Sequence, residues 1–283
     1  MKETHKRFIV KDHSVSGEEF ELRYNLDFKL LQTLPQPKEE HLSNYYKSED
    51  YISHTDTKRN FIEKIYHLVR KYTLKRKLKL INSFKLESNH LLDIGCGTGD
   101  FLLTAKNANW SVCGIETNQH ARNIANSKTN DAVYDSNQLH KFKEQSFDII
   151  TLWHVLEHLQ NLEMHIYRLE KLLKRNGRII LAVPNYKSYD AAYYKSFWAA
   201  YDVPRHLWHF TKDAIKRLFF RYDMEVEKIL PMKFDAFYVS LLSEKYKNGK
   251  SNYFKSFWIG LLSNIKAVHT KEYSSLIYII KKV

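Results

Sequence analysis

Residues 91–102 read Leu91-Leu92-Asp93-Ile94-Gly95-Cys96-Gly97-Thr98-Gly99-Asp100-Phe101-Leu102. Leu91, Leu92 and Ile94 suit the end of a buried parallel strand. Three glycines at alternate positions follow, and Phe101-Leu102-Leu103 opens an amphipathic helix. A strand, a glycine turn and a helix N-terminus leave backbone N–H groups pointing outward at a ligand. Glycines there let the main chain approach that ligand closely.

The residues that depart from a dinucleotide site narrow the choice of ligand. In G-x-G-x-x-G the pyrophosphate rests on the helix N-terminus. Gly95 and Gly97 fill the first two positions, but Asp100 stands at the third. With Asp93 just before the turn, an acid at that place disfavours a pyrophosphate and suits a ligand carrying an ammonium and a sulfonium. About 20 residues on, Val112-Cys113-Gly114-Ile115-Glu116 predicts a second strand ending in a carboxylate, which is placed to accept from two ribose hydroxyls.

These residues resemble the class I S-adenosylmethionine-dependent methyltransferases. The likeness rests on D-x-G-x-G-x-G at 93–99, Glu116, Ser146-Phe147-Asp148-Ile149-Ile150, and His154-Val155-Leu156-Glu157-His158. It spans roughly residues 85–230 and points to the small-molecule branch (methyltransferase type 23) that includes the quinone O-methyltransferases. The resemblance implies S-adenosylmethionine as cofactor and S-adenosylhomocysteine as product. It implies cofactor contacts from Asp93, Gly95, Cys96, Gly97, Gly99, Glu116, Asp135 and Trp153. It implies an acceptor loop after the fifth strand, where a similar P-R-H-x-x-x-F-[ST] segment stands at 204–211. In that loop Arg205 is a candidate to pin an anionic acceptor group. His154, His206 and His209 are the catalytic candidates.

The remaining chain fits an α/β frame. Strands are expected at 90–94, 111–116, 131–134, 147–152 and 178–183, alternating with helices near 99–107, 119–127 and 160–174. Met224 to Leu230 predicts a sixth strand, and Ser275 to Ile280 a last one, antiparallel as in the family. The expectation is a Rossmann-like, seven-stranded, mostly parallel sheet with helices on both faces and with N- and C-terminal additions. Three parts follow. Residues 1–57 form a small segment resembling a zinc-knuckle arrangement that has lost its cysteines. Residues 58–85 form a basic amphipathic helix, and residues 86–283 the methyltransferase domain, with a helical insertion at about 232–272.

In the first part, strands at 8–10 and 20–24 flank a turn at 14–17. Tyr45, Tyr46, Tyr51 and His54 are lid candidates, with ordinary packing the simpler reading. In the second, Phe61, Ile65, Leu68 and Tyr72, then Leu74, Leu78 and Ile81, recur at helical spacing. Ten Lys or Arg residues face one acid, Glu63, between 58 and 85. Such a helix suits RNA or an acidic membrane, or packing by its stripe with the charges in water, which is the reading preferred here.

The 283 residues carry a net charge of +13 and two cysteines, neither in a C-x-x-C. That composition excludes a disulfide framework, and no metal is expected. Neither a signal peptide nor a ~20-residue apolar span is visible, so the expected location is the cytoplasm. H-x-x-E-H at 154–158 is also the inverted zinc-protease motif. It follows a strand here rather than lying within a helix, so a turn around the cofactor site is expected instead. The expected activity is methyl transfer to a small-molecule acceptor, O-methylation favoured. Alternatives are an RNA or protein methyltransferase, or a non-catalytic cofactor binder. No Asn/Asp-Pro-Pro-Tyr motif and no RNA-binding module is present. Acceptor identity, the methylated atom and the choice between monomer and homodimer are not written in the sequence.

Overall fold

The computed structural model describes residues 7–46, 61–86 and 88–283. In chain order come β1 (Arg7–Lys11), β2 (Glu19–Asn25), β3 (Leu30–Leu34), α1 (Glu39–Leu42) and α2 (Phe61–Ile81). Next are β4 (His90–Ile94), α3 (Asp100–Lys106), β5 (Ser111–Ile115), α4 (Gln119–Thr129), β6 (Val133–Tyr134), β7 (Phe147–Trp153), α5 (Leu162–Leu172) and β8 (Leu173–Pro184). The last group is α6 (Tyr189–Tyr194), β9 (Trp208–His209), α7 (Lys212–Phe220), β10 (Met224–Met232), α8 (Asp235–Asn248), α9 (Tyr253–Thr270) and β11 (Ser275–Lys282).

Seven strands form one sheet in the order β10-β11-β8-β7-β4-β5-β6. β4 runs parallel to β5 and β7, and β7 to β8, whereas β11 is antiparallel to both its neighbours. The expected architecture is therefore the observed one. Its core divides by strand alternation. Leu91, Ile149 and Ile180 pack to one side with Phe101, Leu102 and Ala125 of α3 and α4. Leu92, Ile150, Ile179 and Leu181 pack to the other with Ile166 and Leu169 of α5 and Leu218 of α7. Burying both faces explains why these strands are nearly continuous apolar runs.

The N-terminal segment is built differently from the expectation. Its two expected strands are joined by a third, β3, and the four-stranded sheet β1-β2-β3-β9 is completed by Trp208–His209 from the far side of the domain. The stretch 198–211 is thus not wholly a loop: a short 3-10 turn at Ala199–Tyr201 and an edge strand give it shape. The reason is partnership. Leu31 and Gln32 supply backbone hydrogen bonds that no local pattern in 198–211 advertises. Val10, Phe20, Leu22 and Leu31 then share a core with Tyr194, Trp198 and Tyr201.

Two further expectations change. The strand at 131–134 shrinks to Val133–Tyr134, because Asn130 and Asp131 adopt positive φ after α4. On α2, Leu74, Leu78 and Ile81 pack against the domain, but Leu68 and Tyr72 point outward, 70% and 47% exposed. Leu68 and Tyr72 therefore do not continue the buried stripe of Leu74, Leu78 and Ile81, and the side chains of Phe61 and Ile65 lie outside the described residues. Tyr51 and His54 lie outside the described residues.

Candidate active site

The carboxyl ends of β4, β5 and β7 meet around the glycine loop. Gly95, Gly97 and Gly99 all take positive φ, 68°, 55° and 76°. The N–H groups of Gly95 and Cys96 donate to the Ile115 carbonyl, at 2.8 and 3.1 Å, which folds the loop back on β5. A Cβ on Gly95 would lie 2.4 Å from Cγ2 of Val155, so this glycine lets the turn after β7 close against the loop. A Cβ on Gly97 would meet nothing within 4 Å. Gly97 is the part of the loop that faces open space.

Glu116 is bound to that same residue. Its Oε2 accepts the Gly97 N–H at 2.9 Å and its Oε1 accepts the Asn118 N–H at 2.8 Å. The acid expected to meet a ribose thus also holds the glycine loop by a direct contact. Asp135, after β6, accepts the Asn137 N–H and lies 3.4 Å from Arg122. Asp93 is buried and accepts the Thr151 hydroxyl at 2.6 Å. Burial raises its pKa to about 6, against the Thr151 hydroxyl and the positive charge of Lys77. Cys96 is partly buried, and burial pushes its thiol up, so it stays protonated.

Asp100 does not do what its position in the motif suggests. It is paired with Arg70 of α2 and, at 2.9 Å, with Lys128 of α4. Its charge ties helices together and is not aimed at the cleft.

Lys77 was not singled out in the sequence, where it is one of ten basic residues around α2. Its Nζ lies 4.1 Å from the centroid of the Trp153 ring, a cation–π contact. Burial lowers its pKa to about 8, against Asp93 and Asp235. Trp153 also meets Phe101 edge-on, and its Nε1 is buried without a hydrogen-bond partner.

The next residue, His154, holds φ at +58° and donates its N–H to Ala182. Its Nδ1 lies 3.3 Å from Glu157 and its Nε2 3.1 Å from Asp235 of α8. Burial disfavours the imidazolium, but Asp235 and Glu157 outweigh it and raise the pKa to about 10. At neutral pH this histidine is a cation between two acids. Because the folded pKa lies above the ordinary 6.5, its charge adds stability that is whole below that value and is lost as pH rises through about 10. Thermal melts should therefore show wild type losing its advantage over His154→Gln between neutral pH and about pH 10. A constant difference across that range would contradict the protonated state.

His206 and His209 sit deeper. His206 donates from Nδ1 to the Ala200 carbonyl at 2.9 Å, and His209 Nε2 lies 2.9 Å from the Thr33 hydroxyl. Burial, then the nearby His206, holds the His209 pKa well below its ordinary value. Both are less than a tenth exposed. His158 donates from Nδ1 to the Arg205 carbonyl at 3.1 Å, with Tyr46 Oη also 3.1 Å away. Burial and His206 lower its pKa to about 4. Glu157, His158 and His206 bring one ligand atom each to within 4.8 Å of one another, a spacing that a divalent cation could bridge.

Arg205 is not free to meet an acceptor. Its guanidinium is buried against Asp12 at 3.0 Å and Asp202 at 2.7 Å, and it donates to the Tyr45 carbonyl at 2.9 Å.

A family model described as a methyltransferase domain matches residues 66–229, more than half of the chain. The chain belongs to that methyltransferase family. Its glycine loop and sheet make it a class I, S-adenosylmethionine-dependent enzyme. It is 35% identical over 101 residues to an uncharacterised protein of Methanocaldococcus jannaschii, covering 35% of this chain and 38% of that one. It is 32% identical over 122 residues to a ubiquinone biosynthesis O-methyltransferase of Pelagibacter ubique, covering 38% of this chain and 50% of that one. The chain thus spans half or less of the length of these two curated relatives. Among solved structures, magnesium protoporphyrin IX methyltransferase from Synechocystis PCC 6803 superposes with a TM-score of 0.57. That match has 14% identity and covers 87% of this chain and all of the other, a likeness of fold. Among the described residues, no helix is long and apolar enough to cross a membrane.

Proposed function

We propose that this methyltransferase moves a methyl group to a small-molecule acceptor, O-methylation favoured. The observation that carries the reading is the clasp of Glu116 on Gly97 beside open space, with Asp93, Asp135 and Trp153 at or just beyond the carboxyl ends of β4, β6 and β7. That arrangement suits a ribose on Glu116, an ammonium near Asp93 and an adenine edge at Asp135. The relative named for ubiquinone biosynthesis O-methylation favours a hydroxyl acceptor, and a structural neighbour holds S-adenosylhomocysteine. Transfer is in-line, with a neutral thioether leaving, so alignment and exclusion of water do most of the work. Trp153, at the end of β7, is the residue that would face the methionine end of the cofactor, and the Lys77 ammonium lies over its ring.

On the acceptor side the three histidines take different parts. His154, protonated between Asp235 and Glu157, orients the acceptor and is not the base. His206 and His209 shape the loop from within. A second reading is favoured by Glu157, a buried carboxylate whose one close side-chain partner among the described residues is His154 at 3.3 Å, with Oε2 left without a hydrogen bond. Burial would push this carboxyl up, yet His154, His206 and His158 hold it below the ordinary range. A divalent cation on Glu157, His158 and His206 would match that donor set, and when bound it would acidify an acceptor hydroxyl.

One experiment tests both. Purified protein, isotopically labelled S-adenosylmethionine and a panel of phenols, catechols and carboxylic acids should yield a labelled small product, with RNA and protein fractions unlabelled. Label in RNA or protein would move the acceptor class. A product rate that drops at least about ten-fold with a chelator and returns with Mn²⁺ or Zn²⁺ supports the cation. A rate indifferent to the chelator removes it.

A further inference from the structure

The helix α9 is turned inside out for a soluble protein. Its buried side is made of small residues, Ser256, Gly260, Ser263 and Ala267, with Ile259. Its outward side carries Phe254, Phe257, Trp258, Ile265 and Val268, each between 46% and 76% exposed, with Leu262 at the margin. At 3.6 residues per turn these fall on one arc of roughly 140°, opposite the buried face. Small residues let α9 lie close on α8: a Cβ on Gly260 would come 2.9 Å from Phe237 and 3.0 Å from the Ala236 carbonyl. The helix is well seated, so its large side chains face outward because the packing turns them there.

Charge completes the pattern. Residues 245–271 hold six lysines, at 245, 247, 250, 255, 266 and 271, and no Asp or Glu. Lys255 and Lys266 lie along one flank of the apolar arc, and Lys250 and Lys271 stand just beyond its two ends. An apolar arc rich in Trp and Phe with a lysine border has the build of a helix that lies in a bilayer interface, apolar side down, its cations among anionic headgroups. Pairing with a second copy through this face would be isologous. It would bring both sets of lysines together, and the two acids that flank the segment are already engaged, Glu244 by Lys255 at 3.1 Å and Glu272 by Lys212 at 2.9 Å.

We propose that α9 docks this enzyme on an anionic lipid surface, lying on the bilayer without spanning it. The apolar surface also reaches the cleft. Phe257 stacks on Phe237 at 5.5 Å, two residues beyond the Asp235 that holds His154, and exposed Phe234 meets Tyr72 of α2. Docking would therefore place the mouth of the cleft beside the lipid. This binding is separate from the acceptor chemistry, and failure to find a small acceptor would leave it intact.

The test is flotation of the full chain with vesicles of phosphatidylcholine alone, or with about one-third phosphatidylglycerol. Expected is capture by the anionic vesicles at least about ten-fold above the neutral ones, falling as salt rises. The triple variant Phe254→Ser, Phe257→Ser, Trp258→Ser removes the Phe257–Phe237 stack but no fully buried side chain, so it should stay folded with a melting point within a few degrees of wild type while capture falls at least about ten-fold. Light scattering on the same samples reads the oligomeric state. Absence of capture by folded wild-type protein would overturn the proposal, as would equal capture of the triple variant. A wild-type dimer that the variant makes monomeric, without lipid capture, would assign the face to a protein interface instead.

Discussion

Glu116→Ala is expected to weaken S-adenosylhomocysteine binding about 100-fold in calorimetric titration. In the proposed seat the carboxylate accepts from two ribose hydroxyls, and each such bond to a charged group contributes on the order of 1.5–3 kcal/mol. Removing it also leaves the Gly97 and Asn118 N–H groups without their acceptors, at the part of the loop that faces the cleft. Glu116→Gln keeps one acceptor oxygen and should lose only about ten-fold. Glu116 is partly exposed at the end of a strand, so both variants should melt close to wild type. Unchanged affinity in Glu116→Ala would place the ribose elsewhere and remove the observation on which the proposed cofactor seat rests.

The largest expected effect on stability comes from Arg205. Its side chain is 3% exposed, and Asp12, one of its two carboxylate partners, is fully buried. Arg205→Ala would leave two acids without their cation, at a cost of about 3–5 kcal/mol. In a chain of this size that lowers the melting temperature by roughly 10 °C. Arg205→Lys should recover little, since an ammonium cannot present the guanidinium fork to two acids and a carbonyl at once. Burial alone would raise the Asp12 carboxyl, but the Arg205 hydrogen bond and the Ser16 N–H outweigh it and hold it far below the ordinary range. Asp202 is likewise lowered: burial opposes ionisation, and Arg205 and then His206 overcome it. A depressed folded pKa contributes stability above the ordinary carboxylate value of 3.8 that is lost as pH falls. The gap between wild type and Arg205→Ala should therefore be full near neutrality and narrow below about pH 4. Melting temperatures that agree at pH 7 would show the ion pair to be dispensable.

The Arg205 network also shows where a motif reading stops. The P-R-H segment is visible in the sequence, and its resemblance to an acceptor loop made Arg205 an anion-binding candidate. Asp12 lies 193 residues away and turned out to claim the guanidinium. Asp100 taught the same lesson: its motif position suggested the ligand, and Arg70 and Lys128 took its charge instead. In both cases the residue types were right for an ion pair, and only the partner was unknown. His154 belongs here as well, since a histidine after a strand reads as a base until Asp235, 81 positions later, turns it into a cation.

What the sequence determined by itself was the parallel sheet, the glycine loop, the acid after the second strand and the helical insertion, while the antiparallel sense of the last strand follows from the family resemblance. The first four are announced locally, by apolar runs, by alternate glycines, which take positive φ with the least strain, or by helical spacing. Tertiary structure alone decided that Trp208–His209 closes the N-terminal sheet, that the Lys77 side chain reaches from α2 over Trp153, and that α9 buries its small side and shows its large one. These depend on which distant segments meet. Such contacts are settled by the summed burial and charge pairing of the whole chain, and a single stretch of residues carries no local signal for them.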